Sequence, residues 1–226
     1  MKNKLMNFLG YEEGEFDKQI FIKNGILSFI GIFGMGFFLS FLILADYGTD
    51  PYTFMNRSIA AKLGMSLGNW QLIINVLFLA IVLIFNRRLI GLGTVFNMVL
   101  IGYYADFFTW LWKKILPAET FSIQPARAII FAVAICLFVI SAAVYMNADS
   151  GLSPYDGSCK IAADGAKKIN SKIPFFIVRI LCDTLVILTG MAAGGHPTLG
   201  IIIIAVALGP TITMVGKFMK HISNNS

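Results

Sequence analysis

Residues 45–52 read ADYGTDPY, and residues 148–155 read ADSGLSPY. The two octets lie 103 positions apart and are identical at five of their eight positions. A second match follows in the same order, because Leu92-Gly93 recurs 107 positions later as Leu199-Gly200. Apolar helices resemble one another by chance, but an octet that combines aspartate, glycine and proline is not generic membrane sequence. The two matches therefore predict an internal repeat.

The apolar runs around these octets place the chain in a membrane. Of its 226 residues, 57% are hydrophobic and 13% are charged, and the mean hydropathy is +0.77. Soluble globular proteins carry about 45–50% apolar and about 25% charged residues, so this composition excludes a soluble domain. The three cysteines, Cys136, Cys159 and Cys182, have the spacing of neither a disulfide framework nor a metal or redox pair.

Six stretches are long enough to cross a bilayer, which takes roughly 20 apolar residues as a helix. Continuous apolar runs without strict alternation favour helices over a β-barrel. The sequence therefore predicts an all-α, polytopic membrane protein with six transmembrane helices. The predicted spans are residues 24–45, 69–85, 89–112, 127–145, 173–193 and 198–216.

Two further segments, residues 50–63 and 153–170, are each long enough for a short connector helix. The second contains five Asp and Lys residues, and each charge at the bilayer centre costs about 2.5–3.5 kcal/mol, so it is not a lipid-facing span. We predict one membrane domain over residues 1–226. It comprises a cytoplasmic lead at residues 1–23, a first repeat at 24–117 and a second repeat at 127–222.

The distribution of Lys and Arg predicts the orientation. With a cytoplasmic amino terminus, twelve of these residues fall on the cytoplasmic face and five on the opposite face. This bias places both termini in the cytoplasm. The net charge of +6 then reflects topology and attraction to anionic lipid rather than nucleic acid binding.

Three spans in each repeat is an odd number, so the second copy is predicted to lie upside down relative to the first. Such copies are related by a pseudo-two-fold axis in the membrane plane. This arrangement recurs in secondary transporters, which bind their substrate near the bilayer midplane between the two halves.

The same motifs resemble those of the YczE/YyaS/YitT-type integral membrane proteins. The resemblance rests on the Gly-x-[Ser/Asp]-Pro-Tyr turn after the first span of each half and on Gly91-x-Gly93-Thr94, and it extends over roughly residues 24–220. It includes Gly209-Pro210 in the last span, where the first copy instead has Gly102-Tyr103. The resemblance implies the fold and a location in the bacterial cytoplasmic membrane, and it assigns no catalytic residue.

Asp50-Pro51 and Ser153-Pro154 each read as an N-cap followed by proline at the first helical position. One interpretation is a pair of half-helices whose free N–H groups hold an anionic group. The other is a pair of connector helices at the membrane interface, each with its tyrosine in the headgroup belt.

Asp183 lies eleven residues beyond Lys172, or about 16 Å deep, and Arg179 precedes it by four on the same helical face. Left unpaired, the two charges would cost roughly 5–7 kcal/mol. They form either a substrate or ion site or a structural pair that orients the fifth span. Asn75 and Asn97 are predicted at similar depth, where they line a central pathway or make interhelical hydrogen bonds.

We therefore expect a secondary transporter or permease for a small polar or charged solute, with binding residues Asp183, Arg179, Asn75, Asn97, Ser153 and Asp50. The alternative is a membrane sensor or accessory, substrate-binding subunit that does not itself transport. No nucleophile, base or metal constellation predicts an enzyme, and no cofactor or metal is expected. The expected partners are membrane lipid and the solute, with a homo-oligomer or a partner subunit left open.

Overall fold

The computed structural model describes residues 17–224, so most of the predicted lead lies outside the described residues. Within that range the chain forms α-helices and two short 3-10 turns and has no β-strand, which confirms the all-α class. The helices are α1 (Lys18–Ala45), α2 (Pro51–Leu63), α3 (Leu67–Phe85), α4 (Leu92–Ile115), α5 (Ala126–Asn147), α6 (Pro154–Ile169), α7 (Phe175–Ala192) and α8 (Leu199–Asn224).

Among the described residues, five helices are long and apolar enough to cross a membrane, namely α1, α3, α5, α7 and the segment Leu199–Met219 of α8. The third predicted span, residues 89–112, corresponds to α4, which is not among the five. It begins later than predicted because Leu89 closes a 3-10 turn and the Gly91 N–H is capped by Thr94 Oγ1 at 3.0 Å. Six spans therefore stay a prediction, while the membrane class is confirmed.

The outer surfaces of these helices are apolar. Large side chains such as Ile84 and Leu199 are 76% and 77% exposed, and only 17% of the most apolar window of α7 is buried inside the protein. Continuous exposed apolar surface of this extent is typical of a protein that lipid surrounds.

The two octets fold alike down to their backbone angles. Asp46 and Asp149 both have φ of 51°, in the left-handed region that aspartate tolerates better than most residues. Two residues further on, Gly48 and Gly151 have φ of 130° and 93°, which favours glycine. Each octet therefore ends a long helix, turns sharply and leads into a short helix.

Helices α1 and α5, which are the first long helices of the two repeats, pack against each other in opposite directions. Arg127 at the start of α5 donates to the carbonyls of Ala45 and Asp46 at the end of α1, at 2.7 and 3.4 Å. At the other end, Asn24 Nδ2 is 3.5 Å from the carbonyl of Asp149. Asn24 and Arg127 are themselves 103 positions apart, so the two ends make equivalent contacts.

Each octet docks on the third long helix of the other repeat. Gly93 N–H donates to the Ser150 carbonyl at 2.7 Å, and Gly200 N–H donates to the Tyr47 carbonyl at 3.0 Å. The two motifs that recur in the sequence are therefore bonding partners across the repeats. The short helices also pack across the repeats, because α2 contacts α7 and α6 contacts α3.

Glycine is required at this docking point because a Cβ at Gly200 would lie 2.3 Å from the Tyr47 carbonyl oxygen. We expect Gly200→Ala to lower the free energy of unfolding by about 1–3 kcal/mol, measured by SDS titration in mixed micelles. The matched control is Gly165→Ala in α6, where a Cβ meets nothing within 4 Å. That variant should be neutral or slightly stabilising, and equal losses in the two variants would contradict the docking argument.

Candidate functional site

A cavity of about 730 Å³ lies at the centre of the helix assembly, and all eight α-helices contribute to its walls. Apolar side chains form most of the lining. The polar and charged groups lie at the starts of α2 and α6 and on the sides of α3, α4, α5 and α7 that line the cavity. They are Asp50, Tyr52, Thr53, Gln71, Asn97, Tyr145, Ser153, Tyr155, Asp156, Lys160, Arg179, Asp183 and Thr184.

Two tyrosines join the repeats beside this cavity. Tyr52 and Tyr155 occupy the same octet position, and their rings stack with centroids 4.5 Å apart and planes within 8°. The Tyr52 hydroxyl donates to Asn75 Oδ1 at 2.7 Å, and the Tyr155 hydroxyl donates to Asp183 Oδ1 at 2.7 Å. The stacked pair therefore joins equivalent positions of the two octets.

Arg179 is the centre of a charged network in the second repeat. Its Nε donates to Asp183 Oδ2 at 3.1 Å, and its Nη1 forms an ion pair with Asp156. The three side chains are only 17–23% exposed. Ser153 Oγ completes the network by donating to Asp156 Oδ2 at 2.6 Å. One guanidinium therefore balances one of two neighbouring carboxylates.

The first repeat places neutral residues at the corresponding positions. Helices α3 and α7 begin at Leu67 and Phe175, 108 positions apart. In this register Gln71 corresponds to Arg179, Asn75 to Asp183 and, by the octet register, Thr53 to Asp156. The arrangement of the helices is therefore repeated, but these three positions are charged only in the second repeat.

Asp50 and Ser153 are the N-caps of α2 and α6. Asp50 Oδ1 accepts from the Thr53 N–H at 3.0 Å, and Ser153 Oγ accepts from the Asp156 N–H at 3.0 Å. Asp50 takes part in none of the ion pairs between described residues. Burial raises the pKa of the Asp50 carboxyl above its usual value, although hydrogen bonds from Thr53 oppose the shift.

A second pocket, of about 440 Å³, lies beyond the octet of the first repeat. Thr49 lines this pocket, whereas the next residue, Asp50, lines the central cavity. The second pocket is also lined by Arg57 and Lys62, which the charge distribution placed on the outer face, and by Asp46 and Asp106. The octet therefore separates two cavities.

Comparison with known proteins bears on this architecture. A model for a family described as one of unknown function, DUF6198, matches residues 22–217. The chain belongs to this family. The match covers both octets, the tyrosine pair and the charged network, so the whole site lies within the family domain.

Two similar proteins come from Bacillus subtilis (strain 168). The chain is 30% identical over 140 residues to the "Uncharacterized membrane protein YczE", an alignment that spans 62% of each protein. It is 25% identical over 142 residues to the "Uncharacterized protein YyaS", which covers 62% of this chain and 68% of that protein. These matches confirm the resemblance seen in the motifs. No solved structure matches the chain.

The structure brings the six predicted site residues into one region. Asp50, Asn97, Ser153, Arg179 and Asp183 line the central cavity. Asn75 does not line it, because its amide is buried behind Tyr52 and also donates to the Met98 carbonyl at 3.3 Å. Hydrogen bonding between helices is thus what Asn75 does in this structure.

The sequence did not predict that Asp156 and Gln71 belong to the site or that the two tyrosines stack. Both tyrosines are identical positions of the octets, so the sequence contained a signal for them, but it left half-helices and interfacial connectors as alternatives. Aligning the second long helices at a spacing of 108 would have matched Gln71 with Arg179.

The neutral first repeat supplies a test of the charged network. Arg179→Gln copies Gln71 but leaves two carboxylates without their cation, so we expect it to lower the free energy of unfolding by about 3 kcal/mol in SDS titrations. The triple variant Asp156→Thr, Arg179→Gln, Asp183→Asn copies the whole first-repeat set. It should be more stable than Arg179→Gln alone, and the opposite order would contradict this account.

Proposed function

We propose that this protein is a six-span secondary transporter built from two inverted repeats, and that a small polar or charged solute binds in its central cavity. The observation that carries the proposal is the pair of stacked tyrosines. They join equivalent positions of the two repeats beside a cavity that contains an ion network. Secondary transporters bind their substrates at such an interface between repeats.

The contacts between α1 and α5 support the inverted arrangement. Equivalent helices that pack in opposite directions, with equivalent hydrogen bonds at both ends, are what a pseudo-two-fold axis in the membrane plane produces. The reciprocal docking of Gly93 and Gly200 has the same symmetry. In this arrangement α4 also crosses the membrane and is the third of six spans, because it is the counterpart of α8.

The depth of the tyrosines favours half-helices over interfacial connectors. Tyr52 bonds to the ninth residue of α3, which has 19 residues, and Tyr155 bonds to the ninth residue of α7, which has 18. The first turns of α2 and α6 therefore approach the middle of neighbouring spans. Non-helical backbone at such depth is tolerated where it is buried in protein or lines a cavity.

The two cavities support alternating access. The central cavity is closed from the second pocket by the first octet, with the buried residues Gly48 and Thr49 between them. If one repeat moved against the other and displaced the first octet, the central cavity would be connected to the second pocket and so to the outer face. The energy for transport would come from an ion gradient or from a partner chain.

The competing function is a sensor or accessory subunit. The exposed lysines at the end of α6, Lys167 and Lys168, would provide it with a basic cytoplasmic surface. Such a protein would need a ligand site open to one side only, whereas a transporter exposes its site to both sides in turn.

Inversion is tested with matched single cysteines in a background that lacks Cys136, Cys159 and Cys182. Lys62 and Lys168 are exposed residues in the last turns of α2 and α6. We expect Lys62→Cys to react with a membrane-impermeant maleimide in intact cells and Lys168→Cys to react only after permeabilisation. Labelling of both from the same side would rule out the inverted repeats.

Alternating access is tested with Ala142→Cys in the same background. Ala142 is 3% exposed and lines the central cavity, and cysteine adds little volume. In oriented proteoliposomes we expect a charged thiosulfonate reagent to modify this cysteine from either side. Modification from one side only would favour the sensor.

A further inference from the structure

The central cavity presents buried oxygen atoms without hydrogen-bond partners. Gln71 is 3% exposed, and its Oε1 has no partner within the described structure. The hydroxyl of Tyr145, a side chain that is 2% exposed, also has none. Both residues line the cavity. A buried polar group without a partner is destabilising, so a bound molecule that supplied a hydrogen bond to either atom would be favoured.

The charged residues that line the cavity favour a cation over an anion as its ligand. Asp50, Asp156 and Asp183 line it together with Arg179 and Lys160, and Lys160 already pairs with Asp164 at 3.2 Å. With every group ionised, four carboxylates face two cations, which leaves a net charge of −2. An anion would gain contact with Arg179 only by approaching two carboxylates that already bind it, whereas a cation would offset the excess.

The remaining lining indicates an organic cation rather than a metal ion. Most of the cavity wall is apolar, with side chains such as Leu39, Ile101 and Phe138, and its volume lies within the range of about 300–1,000 Å³ that is typical of organic ligand sites. Among the described residues, no group of three or more His, Cys, Asp or Glu is placed to hold a metal ion. Aromatic rings add cation–π attraction for an ammonium group.

We propose that the solute is a small organic monocation, an ammonium group carried on an apolar body. Asp50 supplies the carboxylate that no cation of the described chain neutralises, Gln71 supplies a free acceptor, and the apolar wall holds the rest of the molecule. This inference rests on the central site of the proposed transporter, but it concerns binding alone.

The test uses three probes that share a phenyl ring and a short chain and differ in charge: 2-phenylethylammonium, 2-phenylethanol and 3-phenylpropionate. Binding to the full-length protein is measured by isothermal titration in nanodiscs of phosphatidylcholine, which has no net charge. We expect the ammonium probe to bind at least tenfold more tightly than the alcohol or the carboxylate. Equal affinities, or a preference for the carboxylate, would overturn the proposal.

The residue test compares two Asp→Asn variants. Asp50→Asn keeps an N-cap of equal quality and should weaken ammonium binding at least tenfold while leaving the alcohol unchanged. Asp149→Asn is the matched control, because this exposed aspartate lies outside the cavity and asparagine tolerates its φ of 51°. Asp50→Ser, which copies Ser153, is the second variant. Unchanged ammonium affinity in both Asp50 variants would overturn the assignment.

The binding test and the labelling of Ala142→Cys can fail independently, so failure of the cation site is distinguishable from failure of the proposed transport. Selective ammonium binding together with one-sided labelling of Ala142→Cys would keep the cation site and remove the transporter. Two-sided labelling together with a preference for the carboxylate probe would keep the transporter and overturn the cation site.

Discussion

Inside a membrane protein an open backbone group has no water to bond, so every non-helical stretch depends on the partners that the protein supplies. The segments after α1 and α5 are not helical, and each obtains a backbone partner from the other half of the chain. The Tyr47 carbonyl accepts from Gly200, and the Ser150 carbonyl accepts from Gly93. Neither repeat can therefore complete its own turn, and the fold depends on this exchange.

The exchange also positions the site. Because each turn is held by the opposite repeat, the short helices α2 and α6 start inside the helix assembly rather than at its edge. Their second residues, Tyr52 and Tyr155, then meet face to face and reach Asn75 and Asp183. The hydrogen bonds that the two turns need thus place the tyrosine hydroxyls and the N-caps Asp50 and Ser153 around the central cavity.

The two repeats share their helix arrangement but differ in the charges that they place in the central cavity. The second repeat carries the network of Arg179 with Asp156 and Asp183. The first has uncharged residues at the matching positions, and the one carboxylate that it places in the central cavity is that of Asp50, the N-cap of α2. Buried ion networks are weak evidence for stability, since apolar or neutral replacements are often as stable. A neutral version of the same framework in the same chain makes a role in binding the stronger explanation for the charged one.

The helices, the interruptions between them and the buried charged pair could be predicted from the sequence, because a bilayer allows few structures. Long apolar runs must become helices, the octets must interrupt them, and a charged pair as deep as Arg179 and Asp183 must find partners. The octet repeat also identified which parts of the two halves correspond. The partners themselves could not be predicted, because Asp156 is separated from Arg179 by a loop, and its proximity depends on how α6 packs against α7.

The sequence by itself determined the membrane class, the positions of the helices, the family and the internal repeat, since these follow from local composition and spacing. Only the tertiary structure decided that the two recurring motifs bond to each other across the repeats and that Asn75 lies behind Tyr52. It also decided that Gln71 and Tyr145 line the cavity while Gln71 Oε1 and the Tyr145 hydroxyl lack hydrogen-bond partners. These facts depend on the approach of helices distant in the chain. That approach is set by packing, which no single stretch of sequence encodes.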